Sequence, residues 1–576
     1  MKKLQIVTVI IFGLFKSLYS QNPTQIQVEK VLNSISQLKK CDYNVLTAKY
    51  YTMTDLPTTK LQLDTLINNP KGDMFWMYSS CGFYFNTKNK LDSITKCKFR
   101  ELWKKYTPYR GDTENHFLMY YSSLLLFSQE WKNLDSTFWF NGKSSIENYN
   151  ESKEYLENWI NESSKYGITE WDSPRYTYYY ITPLILLHDF VQDPILQNKC
   201  TMMLELILAD YSFDYLNGNY CGAHSRDGDN SVINPLKAES TSYGQLFFED
   251  EIDFILPDLV FAALSNFKCP QIIKEIAHNR EKNTINIEQK LSRAFIRFSD
   301  KRYKTIFRYN FMTPNYCMGS ISGDLIQPIQ QHSFDITFNS KKHNNTIFSL
   351  NPQSDSKELG MFFPEEPELI AENIIKSKAS YGNENKWIGG SFYEKIYQFE
   401  NTLLSMYSFP TNSNSLHSDL YIPKTVDTIF NSKSGWIFCL FESTLVAIYP
   451  IDKNYKWIDE EANYRIRSFS NKNGYIFECS NDPKINLNLF KNIIETKTKK
   501  DCLKVQNSVF SYKNYKGIKI KYDFTNKSFI SSSSQFLDYN YLFKSDNCES
   551  ILGSGVIKLS FKTKTRTIDF NSNRIY

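Results

Sequence analysis

The sequence predicts a multidomain α plus β protein, a helical N-terminal region followed by a C-terminal antiparallel β-sandwich. Three observations carry that expectation. A chain of 576 residues exceeds what one hydrophobic core ordinarily holds, so two large domains or more are expected. Up to about residue 300 the apolar residues recur with helical spacing. Beyond it they fall into short alternating runs separated by turn residues, which places the boundary at 302/303.

The chain opens with Lys2 and Lys3, an apolar run from Leu4 to Phe15, and the small-residue end Ser17-Leu18-Tyr19-Ser20. This is the pattern of a secretory signal over residues 1–20. The run is too short to span a bilayer and Lys16 interrupts its end. No cysteine follows it, so neither a membrane nor a lipid anchor is expected. The mature chain is predicted to be exported and soluble, secreted or periplasmic.

Gln25 to Lys39 places Ile26, Val28, Val31, Leu32, Ile35 and Leu38 on one broad helical face. Further helical segments are predicted near 91–106, 116–130, 147–164, 176–190, 194–210, 252–265 and 270–280. Pro194 after Asp193 is a start signal, and Asn217-Gly218-Asn219 is a loop. No fixed-period repeat is present, so periodicity leaves bundle, solenoid and toroid open. In the second half, strands are predicted at Ser333 to Phe338, Thr346 to Leu350, Gly435 to Tyr449, Tyr475 to Cys479, Ser508 to Tyr512, Ile518 to Phe524 and Val556 to Phe561. Asn471 to Gly474 is predicted as a turn, and 351–390 as an insertion between strands.

The 67 basic and 62 acidic side chains leave a net charge of +5, and loss of Lys2, Lys3 and Lys16 with the leader lowers it to +2. That excludes a nucleic-acid footprint, while a locally basic cleft for an anionic substrate stays open. The 39 Tyr and 42 Phe suit sugar binding and equally suit an aromatic core. Eleven cysteines, an odd number, contain no CxxC pair and no zinc spacing. No HExxH or DxDxDG pattern appears, so no metal and no cofactor is expected.

Four polar clusters stand out. They are Glu114-Asn115-His116 at the mouth of an apolar helix, and Glu170-Trp171-Asp172 running through Arg175 and Tyr176 to Tyr180. The others are the Gly-flanked loop Cys221 to Asp229 with His224 and Arg226, and Gln327 to His332 with Gln331. Each has an ordinary reading. Asn115 alone is a good helix N-cap, the tyrosines are core, Arg226 pairs with Asp227 or Asp229, and His332 is a satisfied strand residue. His188, His278, His343 and His417 have no convergent polar neighbours in sequence. Taken together, however, Asn, His, Tyr and Arg are what β-elimination from a uronate needs. The C5 proton becomes acidic once the carboxylate is neutralised; a base then removes it, and an acid protonates the leaving oxygen at C4.

The order of Asn115-His116 on a helix, a tyrosine-bearing loop around Tyr176, and His332 at the start of a late strand resembles heparinase II/III-like and oligoalginate lyases. The separations are 60 residues from His116 to Tyr176 and 156 from Tyr176 to His332. The resemblance implies an (α/α) toroid over 21–302 and an antiparallel β-sandwich over 303–576, with the cleft where they meet. It implies that Asn115 and His116 neutralise the carboxylate, that Tyr176 is base, acid or both, and that His332 joins from the sandwich. Tyr178 and Tyr180 remain alternatives for the tyrosine. His224, Arg226, Tyr180, Trp171 and Gln331 are the expected substrate contacts, and the expected partner is an anionic polysaccharide or oligosaccharide. Glu114 stands where the lyases often carry a second Asn. Two other readings remain: a glycoside hydrolase using Glu114, Glu170 or Asp172 as paired carboxylates, and a non-catalytic glycan-binding protein.

Overall fold

The computed structural model describes residues 23–576 apart from 71, 112, 228, 296–298, 324–331, 343, 352–390, 392, 412–416, 502–507 and 534–539. The predicted leader and nearly all of the predicted 351–390 insertion lie outside the described residues.

Helices occupy the first half, from Pro23–Ser36 to Gln271–His278. Several begin where side-chain oxygens satisfy the first backbone donors. Asp73 accepts from the Trp76 amide at the start of Met74–Thr87, and Ser144 with Glu147 forms a capping box at Ser145–Tyr166. Asp193 caps Pro194–Phe213, as the Asp-Pro signal predicts. Periodicity does not reveal the helices Tyr43–Thr52, Leu56–Asn68, Met74–Thr87 and Thr241–Phe248. Met74–Thr87 is buried along most of its length, so it carries no apolar stripe to read. It packs with Glu114–Glu130 and Tyr178–Phe190 in one core. No described helix is long and apolar enough to cross a membrane.

Strands begin earlier than expected. The first long hairpin pairs Thr284–Phe295 with Ser299–Met312, so the predicted boundary at 302/303 falls inside its second strand. The pattern misleads because both faces of the first strand are buried over its first half, Thr284 to Lys290. Ile285 and Ile287 face an apolar core, while Glu288 and Lys290 are buried on the other side by ion pairing.

This hairpin is the middle of a thirteen-stranded antiparallel sheet. On one flank, the strands from Tyr316–Gly323 through Phe334–Phe338, Thr346–Leu350 and Ser418–Pro423 share a core with a six-stranded sheet centred on Thr444–Pro450 and Lys472–Ser480. On the other flank, the strands between Tyr541 and Ile575 lay Leu542, Phe543, Ile557 and Leu559 into the helical core. One sheet therefore packs on both halves of the chain. The outer face of the six-stranded sheet is covered by helix Leu487–Lys497 and a four-stranded sheet. The predicted turn at Asn471 to Gly474 is largely strand, with Gly474 opposite Met406. A Cβ on Gly474 would meet the Ser405 carbonyl at 2.5 Å, so glycine serves close strand approach there.

Candidate functional site

Three of the four polar clusters meet around the segment Thr169 to Tyr180, which joins helices Ser145–Tyr166 and Tyr178–Phe190. The segment lies against the first turn of helix Glu114–Glu130. There the N-cap is Thr113, not Asn115. Glu114 instead reaches across to receive the Trp159 indole N–H (3.0 Å) and the Thr169 amide (2.6 Å). Glu170 returns the arrangement: its Oε2 accepts from the Tyr180 hydroxyl (2.7 Å) and from the Asn115 side-chain amide. The second Asn115 amide hydrogen goes to Thr113 Oγ1 (3.1 Å). Asn115 is thus buried with both side-chain hydrogens committed to protein groups.

The partly exposed side of this assembly carries Tyr176. The Arg226 Nη2 donates to the Tyr176 hydroxyl at 3.3 Å, and its guanidinium carbon lies 4.9 Å from the ring centroid. The Arg175 guanidinium lies 5.6 Å from the same ring. Arg226 Nε in turn stands 3.6 Å from Glu170 Oε1. Arg226 takes φ 50°, a left-handed conformation that costs a non-glycine residue on the order of 1 kcal/mol or more and recurs at functional sites. His116 is half-buried and meets Phe75 edge-on at 5.4 Å; Phe75 contacts Tyr179 at 5.1 Å, and Tyr179 contacts Tyr176 at 6.0 Å. The imidazole and the phenol therefore belong to one aromatic wall. Gly111, at φ 86°, passes so close that a Cβ would come within 2.5 Å of His116 Nδ1.

Among the candidate tyrosines the geometry discriminates. Tyr178 and Tyr180 are buried, and burial together with Asp258 for the first and Glu170 for the second pushes both phenols well up. Tyr176 alone of the three keeps solvent access and a guanidinium on its oxygen.

A second polar assembly lies behind the first, at the junction with the long sheet. Lys290 Nζ sits among Asp172 (2.6 Å), Asp210 (2.8 Å) and Glu288 (3.0 Å). Arg308 pairs with Asp214, with Glu288 (3.2 Å) and with Asp172 (3.3 Å), and donates to the carbonyls of Ala223 and Cys221. Burial opposes ionisation of Asp172, yet Lys290 and Arg308 hold its carboxyl down at about 2. Burial pushes Asp214 up to about 7 despite Arg308. The acidic trio Asp172, Asp210 and Glu288 has the spacing of a cation site, but the Lys290 ammonium already fills its centre.

Comparison with known protein families and with curated proteins finds no match to this chain.

His224 and His332 cross the junction. Their backbones exchange two hydrogen bonds, His224 N to His332 O at 3.0 Å and His332 N to His224 O at 2.8 Å. Both imidazoles are buried. His224 Nδ1 faces the Asp172 carbonyl (2.7 Å), and burial with Arg308 lowers its pKa to about 3. Burial and the neighbouring His224 carry His332 well below the ordinary range, and its ring lies edge-on to Phe348 at 5.4 Å.

Of the sequence-predicted residues, the structure joins Asn115, Tyr176 and Arg226 through Glu170, and sets His116 on the same wall. His332, expected as a catalytic partner, bonds through its backbone to His224, two residues before Arg226, while its imidazole is buried against Phe348. The substrate-facing expectation for Trp171, Tyr180 and His224 meets buried side chains. Trp171 packs with Ala223, Ile306 and Ile321, and its carbonyl anchors Ser225. Gln331 lies outside the described residues. Arg226, expected to pair with Asp227 or Asp229, has Glu170 as a charge partner. Sequence reasoning missed Lys290 and Arg308, whose one signal is charge alternating along a strand.

Proposed function

We propose that this chain is an exported polysaccharide lyase that cleaves a uronate-containing anionic glycan by β-elimination, on a toroid-plus-sandwich scaffold. The observation that carries the reading is Tyr176, a partly exposed phenol with one guanidinium on its oxygen and a second near its ring. Arg226 and Arg175 present positive charge to a substrate carboxylate, which acidifies C5–H. Acting as the phenolate, Tyr176 takes that proton and becomes the phenol, the electron pair forms the C4–C5 double bond, and the C4–O bond to the leaving sugar breaks. The leaving oxygen receives a proton from Tyr176 or from His116 on the same wall. Asn115 reaches the site indirectly, since its amide holds Glu170. His332 supports the Arg226 loop through the backbone of His224.

The carboxylate-pair alternative is disfavoured by what fills it. Hydrolysis needs two carboxyl groups roughly 5–9 Å apart with the glycosidic bond between them. The Tyr180 hydroxyl lies between Glu114 (3.3 Å) and Glu170 (2.7 Å), and both acids are buried. Asp172 is engaged by Lys290 and Arg308. The direct test is to incubate the protein with alginate, glucuronan, ulvan and glycosaminoglycans and follow absorbance of the unsaturated uronyl product. The reading expects signal on at least one, lost in Tyr176→Phe. Silence on all of them, or full activity in the variant, overturns it.

A further inference from the structure

We infer that Glu170 is a positioning residue for the elimination, one that acts by holding the Arg226 guanidinium over Tyr176. The inference rests on the lyase reading and assigns work to a carboxylate that the reaction itself does not use.

Glu170 is 1% exposed, and an ionisable side chain removed from water needs compensating partners. Its two oxygens are divided between two tasks. Oε2 receives the Tyr180 hydroxyl and the Asn115 amide, which tie it to two helices of the core. Oε1 faces outward to Arg226 Nε at 3.6 Å. Arg226 then uses Nη2, at the other end of the same planar group, on the Tyr176 hydroxyl. A guanidinium is a rigid fork, so fixing Nε fixes the direction in which Nη2 points. Arg226 sits in a loop at φ 50°, and Glu170 supplies it with a charge anchor on the rigid helical side. Correct placement of the guanidinium matters because small displacements of a catalytic constellation are expensive in rate.

The division of labour between the two oxygens makes the role separable from folding. In Glu170→Gln the side-chain carbonyl keeps an acceptor for Tyr180 and Asn115, while the amide end no longer attracts Arg226. The experiment measures kcat, KM and the thermal midpoint of the full chain for wild type, E170Q, R226A and the double variant on the glycan the wild type cleaves. We expect E170Q to keep the wild-type midpoint within a few degrees and to lose about tenfold in kcat/KM. We expect the double variant to match R226A alone, since the carboxylate charge that E170Q removes has no guanidinium to hold once Arg226 is gone and Gln keeps the acceptor for Tyr180 and Asn115. Full activity in E170Q overturns the inference. So do losses that multiply in the double variant, or an activity loss that only tracks a lowered midpoint. Absence of cleavage by wild type on every uronate glycan is a different failure, that of the lyase reading itself.

Discussion

Two polar assemblies stand back to back on either side of the segment from Glu170 to Tyr176, and they differ in one respect that matters. Around Lys290 and Arg308, cations and carboxylates are buried and pair with one another across the junction of helices and sheet. Around Tyr176, the hydroxyl and two guanidiniums are partly exposed, with the buried Glu170 beside Arg226 and Glu239 beside Arg175. Buried charge that is fully paired organises structure; charge left partly open can serve a ligand. A list of polar residues in sequence does not separate the two kinds.

Substitution should separate them sharply. Arg308→Met leaves Asp172, Asp214 and Glu288 short of a buried cation and should cost about 3–5 kcal/mol of stability, read by denaturant unfolding. Tyr176→Phe should do the reverse. It should cut kcat by about a hundredfold or more while leaving the unfolding curve nearly unchanged. If Arg308→Met proves stable, or Tyr176→Phe proves unstable, the contrast fails.

Acid sharpens the comparison further. His224 in the native state stays neutral down to about 3, whereas in the unfolded chain it takes a proton near its ordinary value of about 6.5. Its contribution is therefore present above the ordinary value and lost as pH falls toward 3, by up to roughly 1.4 kcal/mol per pH unit. Asp214, pushed up to about 7, works the other way: its contribution is present below the ordinary carboxylate range and lost as pH rises through 7. Because the two oppose each other, the informative quantity is a difference. Relative to wild type, His224→Gln should lose less stability between pH 6.5 and pH 5, a difference of about 2 kcal/mol by denaturant unfolding. Parallel curves would contradict the assignment.

The smallest effect belongs to Arg175, whose side chain is 44% exposed. Arg175→Ala should raise KM a few-fold on an anionic glycan, leave stability unchanged, and show less effect at high salt because the interaction is screened. A salt-independent change would place the residue elsewhere in the chemistry.

What the sequence reveals follows the physics of each element. Helix Glu114–Glu130 and the strands at 334–338, 346–350 and 556–561 are legible because they carry clear runs or alternation. Met74–Thr87 is not, because a helix buried nearly all round has no stripe. Thr284–Phe295 is not, because its second buried face is charged and becomes interior only through Lys290 and Arg308. In the site, Asn115, His116, Tyr176 and Arg226 are visible as unusual polar residues. That Asn115 donates to Glu170 is a fact of three dimensions. So is the burial of Trp171 and His224, which a Gly-flanked loop sequence does not betray.

The most direct test of the central claim is to run the cleavage in heavy-oxygen water and weigh the products. Elimination at a Tyr176-centred site predicts fragments without the label at the broken bond, the unsaturated one lighter by one water than its hydrolytic counterpart. Fragments that carry the heavy oxygen, with saturated ends, would contradict it.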